Sequence, residues 1–516
     1  MRLEEIANAS AEVAASSSRL AKIATLAGAL QRLRPEEVPV AVAYLSGELP
    51  QGSVGIGWAS LRDLPPAANP PGTLQLMDVD AAVGRIAADA GQGSVGRRRA
   101  ELQGLFARAT EQERRFLIGL FQGEIRQGAL AGVMVEAVAR AGGVPAAAIR
   151  RAAMLAGNLG TVATAAIAQG QAGLSRFTMT VLNPVSPMLA QTAEDPAEAL
   201  DRIHPASVEW KLDGARIQVH RQGDEVRAFT RNLADMTRRV PEIVAAVRAL
   251  PLGSVILDGE AIAIRRDRRP ETFQVTMSRF GSRVGVEELR RQVPLWPFFF
   301  DCLHLNGEDL IDRPQSDRFA KLASALPPDM VVPRIVANDA ERATAFFEDA
   351  LARGHEGVMV KALDAPYEAG RRGASWLKVK RALTLDLVVL AAEWGHGRRR
   401  GWLSNPHLGA RDAASGEFVM LGKTFKGMTD QVLAWQTERL QELETSRDEY
   451  TVYVRPELVV EVALDGLQAS SRYPGGLALR FARIKGYRPD KSAADADTIE
   501  TVRALHAAAL ARGEGG

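Results

Sequence analysis

The chain has 516 residues, 46% hydrophobic and 24% charged, with a formal net charge of +2 and one cysteine, Cys302. This is the composition of a globular protein of two to four domains, and it excludes intrachain disulfides and a cysteine-rich zinc site. Charge is not polarised either: residues 1–180 hold 18 basic against 15 acidic side chains and residues 383–516 hold 17 against 18, so bulk charge gives no argument for a nucleic-acid partner.

Residues 1–180 read as helical throughout. Alanine-rich periodic segments are broken at Gln51-Gly52-Ser53, Pro65-Pro66, Asn69-Pro70-Pro71-Gly72 and Gly142-Gly143. Glu36 to Leu45 is expected to form a helix after Pro35, and Ala147–Leu155 and Val162–Ala168 are expected to form a helical pair. The arginine runs Arg97–Arg99 and Arg398–Arg400 are weak signals, since such runs usually form a solvated face. The segment from Phe177 to Ala190, FTMTVLNPVSPMLA, is extended and punctuated by Pro184 and Pro187. After it the pattern turns strand-rich, which places a boundary near residue 180.

From Val208 to Arg381 strands and helices alternate, as in an α+β domain with antiparallel sheets. Near its start stands Glu209-Trp210-Lys211-Leu212-Asp213-Gly214-Ala215-Arg216, one lysine held between two strand-like segments. A lysine is a poor nucleophile at neutral pH unless neighbouring positive charge or desolvation favours the free amine. Downstream, Arg231 leaves a strand over Val226–Phe229. Val255–Ile262 is an apolar strand carrying Asp258 and Glu260, acids that are costly there unless they bind something. Trp296–Asp301 (WPFFFD) is a third strand, His355–Lys361 (HEGVMVK) a fourth with Glu356 at its start, and Trp376–Lys380 (WLKVK) a fifth with Lys378 and Lys380 on one face. Singly, each has a bland reading: Phe300 as core, Glu260 and Glu356 as ion-pair partners, Lys378 and Lys380 as a charged edge.

Together, in this order and spacing, KLDG, LDGEAIA, FFFD, EGVMVK and WLKVK resemble motifs I, III, IIIa, IV and V of the covalent nucleotidyltransferases: ATP-dependent DNA ligases, RNA ligases and capping enzymes. The resemblance implies that Lys211 attacks the α-phosphorus of ATP and carries AMP, with Lys378 and Lys380 depressing its pKa and stabilising the transferring group. It implies that Glu260 holds the ribose hydroxyls, that Arg231 contacts sugar or phosphate, and that Phe300 stacks on adenine. Glu209 joins the nucleotide-binding set, as does Arg216, near the nucleotide or the nick phosphate. Asp213 orients the loop or a metal-bound water. Glu356, with Glu260, is the expected holder of Mg²⁺, with Mn²⁺ as the alternative.

From Leu383 the chain changes again. Leu385–Ala391, Phe418–Lys423, Tyr450–Val454 and Leu458–Leu464 read as strands and Met428–Leu443 as a helix, which fits an OB-like barrel. Leu479–Arg483 (LRFAR) resembles the family's motif VI with Ala482 where proline is usual, and the resemblance assigns Arg480 and Arg483 to the pyrophosphate leaving group. The tail from Ala508 to Gly516 is expected to be disordered.

The helical first block and SPMLA (186–190) resemble the larger ATP-dependent DNA ligases. The expectation is therefore a DNA-binding domain over 1–180, an adenylation domain over 181–382 and an OB domain over 383–508, with residues 509–516 as the tail. The implied activity is nick sealing in duplex DNA with ATP, by a cytoplasmic monomer with no membrane partner. The competitors are an RNA ligase or capping-type guanylyltransferase and a catalytically silent DNA-binding scaffold. Removing residues 1–180 is expected to weaken nick binding while sparing adenylylation.

Overall fold

In the computed structural model the chain is described except at residues 53, 62, 63, 70, 124, 126–130, 266–268, 272, 282–285, 370, 371, 382, 397, 398 and 513–516. Ser53, Pro70 and Arg398, used above as breaks or as part of a charge run, lie outside the described residues.

The first region is all helical: α1 (Leu3–Ala15), α2 (Arg19–Gln31), α3 (Val38–Leu45), α4 (Leu76–Ala88), α5 (Ser94–Ala107), α6 (Glu111–Phe121), α7 (Ala131–Gly142), α8 (Ala146–Ala156) and α9 (Leu159–Leu174). α3 starts two residues later than expected, because Pro39 rather than Pro35 occupies its first turn, where a missing N–H goes unnoticed. α6 is held at its start by a capping box between Thr110 and Glu113. The aliphatic faces of these helices share one core, including Leu3, Leu26, Leu45, Val83, Phe106 and Val138. Arg97 and Arg98 are committed to Asp89 and to the Val54 carbonyl, so this run is not an open phosphate grip. No single helix among the described residues is long and apolar enough to cross a membrane.

The middle region contains two five-stranded sheets. One has the order β1 (Leu189–Thr192), β10 (Arg372–Lys380), β9 (Gly357–Ala362), β2 (Ala206–Lys211) and β8 (Arg334–Ala337). Its strands are antiparallel except for β1, which runs parallel to β10. The other has the order β4 (Glu225–Thr230), β3 (Ala215–Gln222), β5 (Ser254–Ala263), β6 (Leu295–Leu305) and β7 (Glu308–Asp309), all antiparallel. The helices of this region are α10 (Pro196–Arg202), α11 (Pro241–Arg248), α12 (Phe273–Gly281), α13 (Val286–Gln292), α14 (Gln315–Ala325) and α15 (Ala340–Ala352). Strand alternation sorts the aromatic row of β6: Phe299 is in the core, while Phe298 and Phe300 pack on the opposite side.

The third region is a curled sheet of β11 (Leu383–Trp394), β12 (Leu403–Arg411), β13 (Phe418–Lys423), β14 (Glu444–Arg447), β15 (Thr451–Val454), β16 (Val459–Leu464) and β19 (Arg483–Tyr487). The hairpin β17 (Gly466–Ala469) and β18 (Leu477–Arg480) stands beside it, with α16 (Asp430–Glu442) packed on the sheet. This is an OB-like arrangement. The expected disordered tail is corrected over residues 508–512, where α17 (Ile499–Arg512) continues, because Ile499 and Val502 are buried in the barrel core and Ala509 is buried as well; residues 513–516 lie outside the described residues.

Buried His220 ties the proline-punctuated segment to β3. Its Nδ1 accepts the Leu182 N–H at 3.0 Å, and its Nε2 lies 2.8 Å from Gln218 Oε1. Burial, reinforced by His304, pushes its pKa down to about 3, and protonation at Nδ1 would set a proton against the Leu182 N–H. The unfolded chain, with histidine near 6.5, then binds the proton more strongly than the folded one. The stabilisation is complete above about pH 6.5 and is lost as pH falls toward 3. Unfolding of the native chain in denaturant is expected to show a loss of about 2 kcal/mol from this group between pH 7 and pH 5. His220→Gln should remove that share of the pH dependence; equal losses in both proteins would show that another group carries it.

Candidate active site

Lys211 closes β2 where the chain passes from one sheet to the other, with β3 starting at Ala215. Gly214 permits the step through close packing against a neighbouring strand. A Cβ there would lie 2.3 Å from Ile262 Cγ2 and 2.4 Å from Ala261 O, so only glycine allows the close approach to β5.

Around the lysine, both sheets and the C-terminal region enclose a cleft of about 800 Å³, a volume suited to a nucleotide-sized ligand. β2 brings Glu209 and Lys211 to it, the following loop Asp213, and β3 Arg216. Arg231 follows β4, Glu260 lies on β5 and Phe300 on β6. Glu356 directly precedes β9, β10 brings Lys378 and Lys380, and β18 brings Arg480. Arg483 does not line the cleft. β18 ends at Arg480 and β19 begins at Arg483, and the strand is interrupted between them at Phe481, in the left-handed region at φ 51°. A proline at 482 would disfavour that conformation, which accounts for Ala482.

The electrostatics centre on Glu356. Its carboxylate takes one ion pair from Lys211 Nζ through Oε2 and another from Lys380 Nζ through Oε1. Burial opposes ionisation of Glu356, but the two ammonium groups outweigh it and hold the acid below the usual carboxylate range. Lys380 also lies 3.3 Å from Asp465 Oδ2, a contact from the C-terminal region; burial works against its charge, yet Glu356 raises its pKa. Lys378 is lowered, first by burial and then by Lys380 and Lys211. Asp213 is raised by burial and by Glu356. Glu260 retains a little solvent contact through the cleft but is enclosed by protein, and burial pushes it up to about 8 against the pull of Lys211 and Arg216.

Behind the cleft wall lies a polar layer whose pairings the sequence did not single out. Arg216 bonds Asp258 through Nε and Nη2 at 3.0 and 2.7 Å, and the Tyr367 hydroxyl donates to Asp258 Oδ2 at 2.6 Å. Lys361 pairs with Glu209 at 2.5 Å. Lys361 falls inside the EGVMVK segment and could have been found by asking what neutralises Glu209; Asp465 and Tyr367 carry no local signal. Among the described residues no three His, Cys, Asp or Glu side chains are grouped to hold a metal ion. Glu260 and Glu356 are the hard-oxygen pair that suits a cation completing its shell with phosphate and water.

Two antiparallel-rich sheets folded around a lysine, with a curled β-barrel closing one side, define the nucleotidyltransferase fold class. The chain belongs to the ATP-dependent DNA ligase family and is an enzyme of that class. The family descriptions "DNA ligase N terminus", "ATP dependent DNA ligase domain" and "ATP dependent DNA ligase C terminal region" match residues 60–139, 187–380 and 399–491. The chain is 62% identical over 512 residues to the probable DNA ligase of Anaeromyxobacter dehalogenans (strain 2CP-C), covering 98% of this chain and all of that one. It is 57% identical over 514 residues to the probable DNA ligase of Mycobacterium marinum (strain ATCC BAA-535 / M), covering 98% and 100%. The solved structure Pmar-Lig_PreS3 shares the fold at a TM-score of 0.63 and 17% identity, over 94% of this chain and 99% of that one.

Proposed function

We propose that this ligase seals nicks in duplex DNA in three steps with Lys211 as nucleophile. Lys211, as the free amine after losing its proton to solvent, attacks the α-phosphorus of ATP; an N–P bond forms as the bond to pyrophosphate breaks. AMP then passes to the 5′-phosphate of the nick, and the 3′-hydroxyl displaces it. The observation that carries the reading is the convergence of Lys211, Glu209, Glu260, Phe300, Glu356, Lys378 and Lys380, from five separate segments, on one cleft.

In this reading Phe300 stacks on the base, Glu209 and Arg231 contact base and sugar, and Glu260 holds the ribose. Lys378 and Lys380 meet the phosphates, Arg216 stands between nucleotide and nick, and Arg480 faces the leaving group. Arg483 has no place at the cleft in this arrangement. Mg²⁺, with Mn²⁺ as the alternative, would be held by Glu356 and Glu260 and would neutralise phosphoryl charge. Residues 1–180 serve as the DNA-binding region, 181–382 as the adenylation region and 383–508 as the OB region, in a cytoplasmic monomer.

The test is sealing of a singly nicked duplex with ATP, GTP or NAD. Closure is expected with ATP alone. AMP attached to the protein without closure of DNA would shift the acceptor to RNA, and neither adduct nor closure would favour the silent scaffold.

A further inference from the structure

Helix α8 belongs to the helical N-terminal region, yet its Met154 and Leu155 are buried in a cluster with Met188, Tyr367 and Trp376, all from the region that builds the cleft. Met154 is only 4% exposed. Its Sδ accepts the Ala369 N–H at 3.3 Å, and its carbonyl accepts the Ser186 N–H at 3.0 Å.

What Met154 packs against leads directly into the cleft. Tyr367, 1% exposed, accepts the Met188 N–H at 3.0 Å and an Arg216 N–H at 3.2 Å, and donates to Asp258. Trp376 stands edge-on to both Tyr367 and Phe300, with ring centroids 5.9 Å apart in each pair. Arg216, Phe300 and Trp376 line the cleft. A truncation at Met154 would open a cavity behind Tyr367 and Ala369 and loosen the aromatic layer between that cavity and the cleft.

We infer that Met154 is a positioning residue for the adenylylation step, and that the helical region is a structural wall of the nucleotide pocket as well as a DNA grip. The inference rests on the reading of the cleft as an ATP site. It revises the expectation that residues 1–180 are dispensable for adenylylation. The ion pair Arg151–Asp312 crosses the same boundary at 2.5 and 2.6 Å, but its side chains are 49% and 63% exposed, and such a pair contributes little.

The experiment measures AMP transfer from labelled ATP to the full-length chain, comparing wild type with Met154→Ala, Met154→Leu and Arg151→Ala below the melting temperature of each. Met154→Ala is expected to raise the KM for ATP roughly tenfold while kcat changes by less than about twofold, because the pocket's walls shift and its nucleophile does not. Met154→Leu, which refills the volume, should stay within about twofold of wild type, and Arg151→Ala should match it. An unmoved KM in Met154→Ala would overturn the inference, as would a fall in kcat alone that tracks loss of folded protein. Absence of any adduct in the wild type would overturn the ATP-site reading and the inference with it.

Discussion

Lys211→Ala is expected to form no covalent adduct with labelled ATP and to close no nick, a loss of roughly 10⁴-fold or more, as for deletion of a nucleophile. The expectation rests on placement. Lys211 Nζ and the Glu356 carboxylate are in contact, which fixes the amine at the centre of the cleft. The same acid holds Lys380, which places a second positive charge at the cleft. Measurement of protein-bound label after denaturation decides the matter, because only a covalent bond survives it. A surviving adduct would point to Lys378, whose amine burial and the neighbouring lysines already favour. ATP binding itself should persist in the variant, since the contacts proposed for base and sugar come from other strands.

The strands of the middle region were legible because their apolar runs are bounded and their motifs fixed in order; what each charged side chain faces was not. Asp258 and Glu260 look alike in the sequence, two acids at i and i+2 on one apolar strand. In the fold Asp258 is neutralised by Arg216 and Tyr367, whereas Glu260 opens to the cleft and is pushed up to about 8. Arg480 and Arg483 read as one motif, but the strand is interrupted at a left-handed residue between them, and Arg480 lines the cleft while Arg483 does not. The terminal helix was missed because its hold on the barrel comes from Ile499, Val502 and Ala509, spaced too sparsely among alanines to show an apolar stripe. Most hidden of all was α8: nothing in Ala147–Leu155 announces that two of its side chains belong to another region's core. Local pattern reports which residues are apolar, and only the tertiary fold reports against what they close.

Lys361→Met is expected to cost about 3–5 kcal/mol of stability, because it strands a buried charge. Lys361 and Glu209 are each 1% exposed and sit 2.5 Å apart, with the lysine ammonium 4.5 Å from the Phe300 ring centroid and 4.3 Å from that of Trp376. Without it, the hydrogen bonds left to the Glu209 carboxylate among the described residues come from neutral donors, Gln315 Nε2 at 3.2 Å and Ser207 Oγ at 3.4 Å. Glu209→Gln together with Lys361→Met removes both charges while preserving volume, and should return stability to within about 1 kcal/mol of wild type. Denaturant midpoints of the two single variants and the double variant measure that coupling. The same double variant separates two roles for Glu209, which lies on the cleft wall as well as in the ion pair. If Glu209 grips the nucleotide, the KM for ATP in the adduct assay stays high in the double variant although the fold has recovered. Recovery of both together would make Glu209 a structural partner of Lys361 and remove it from the nucleotide-binding set.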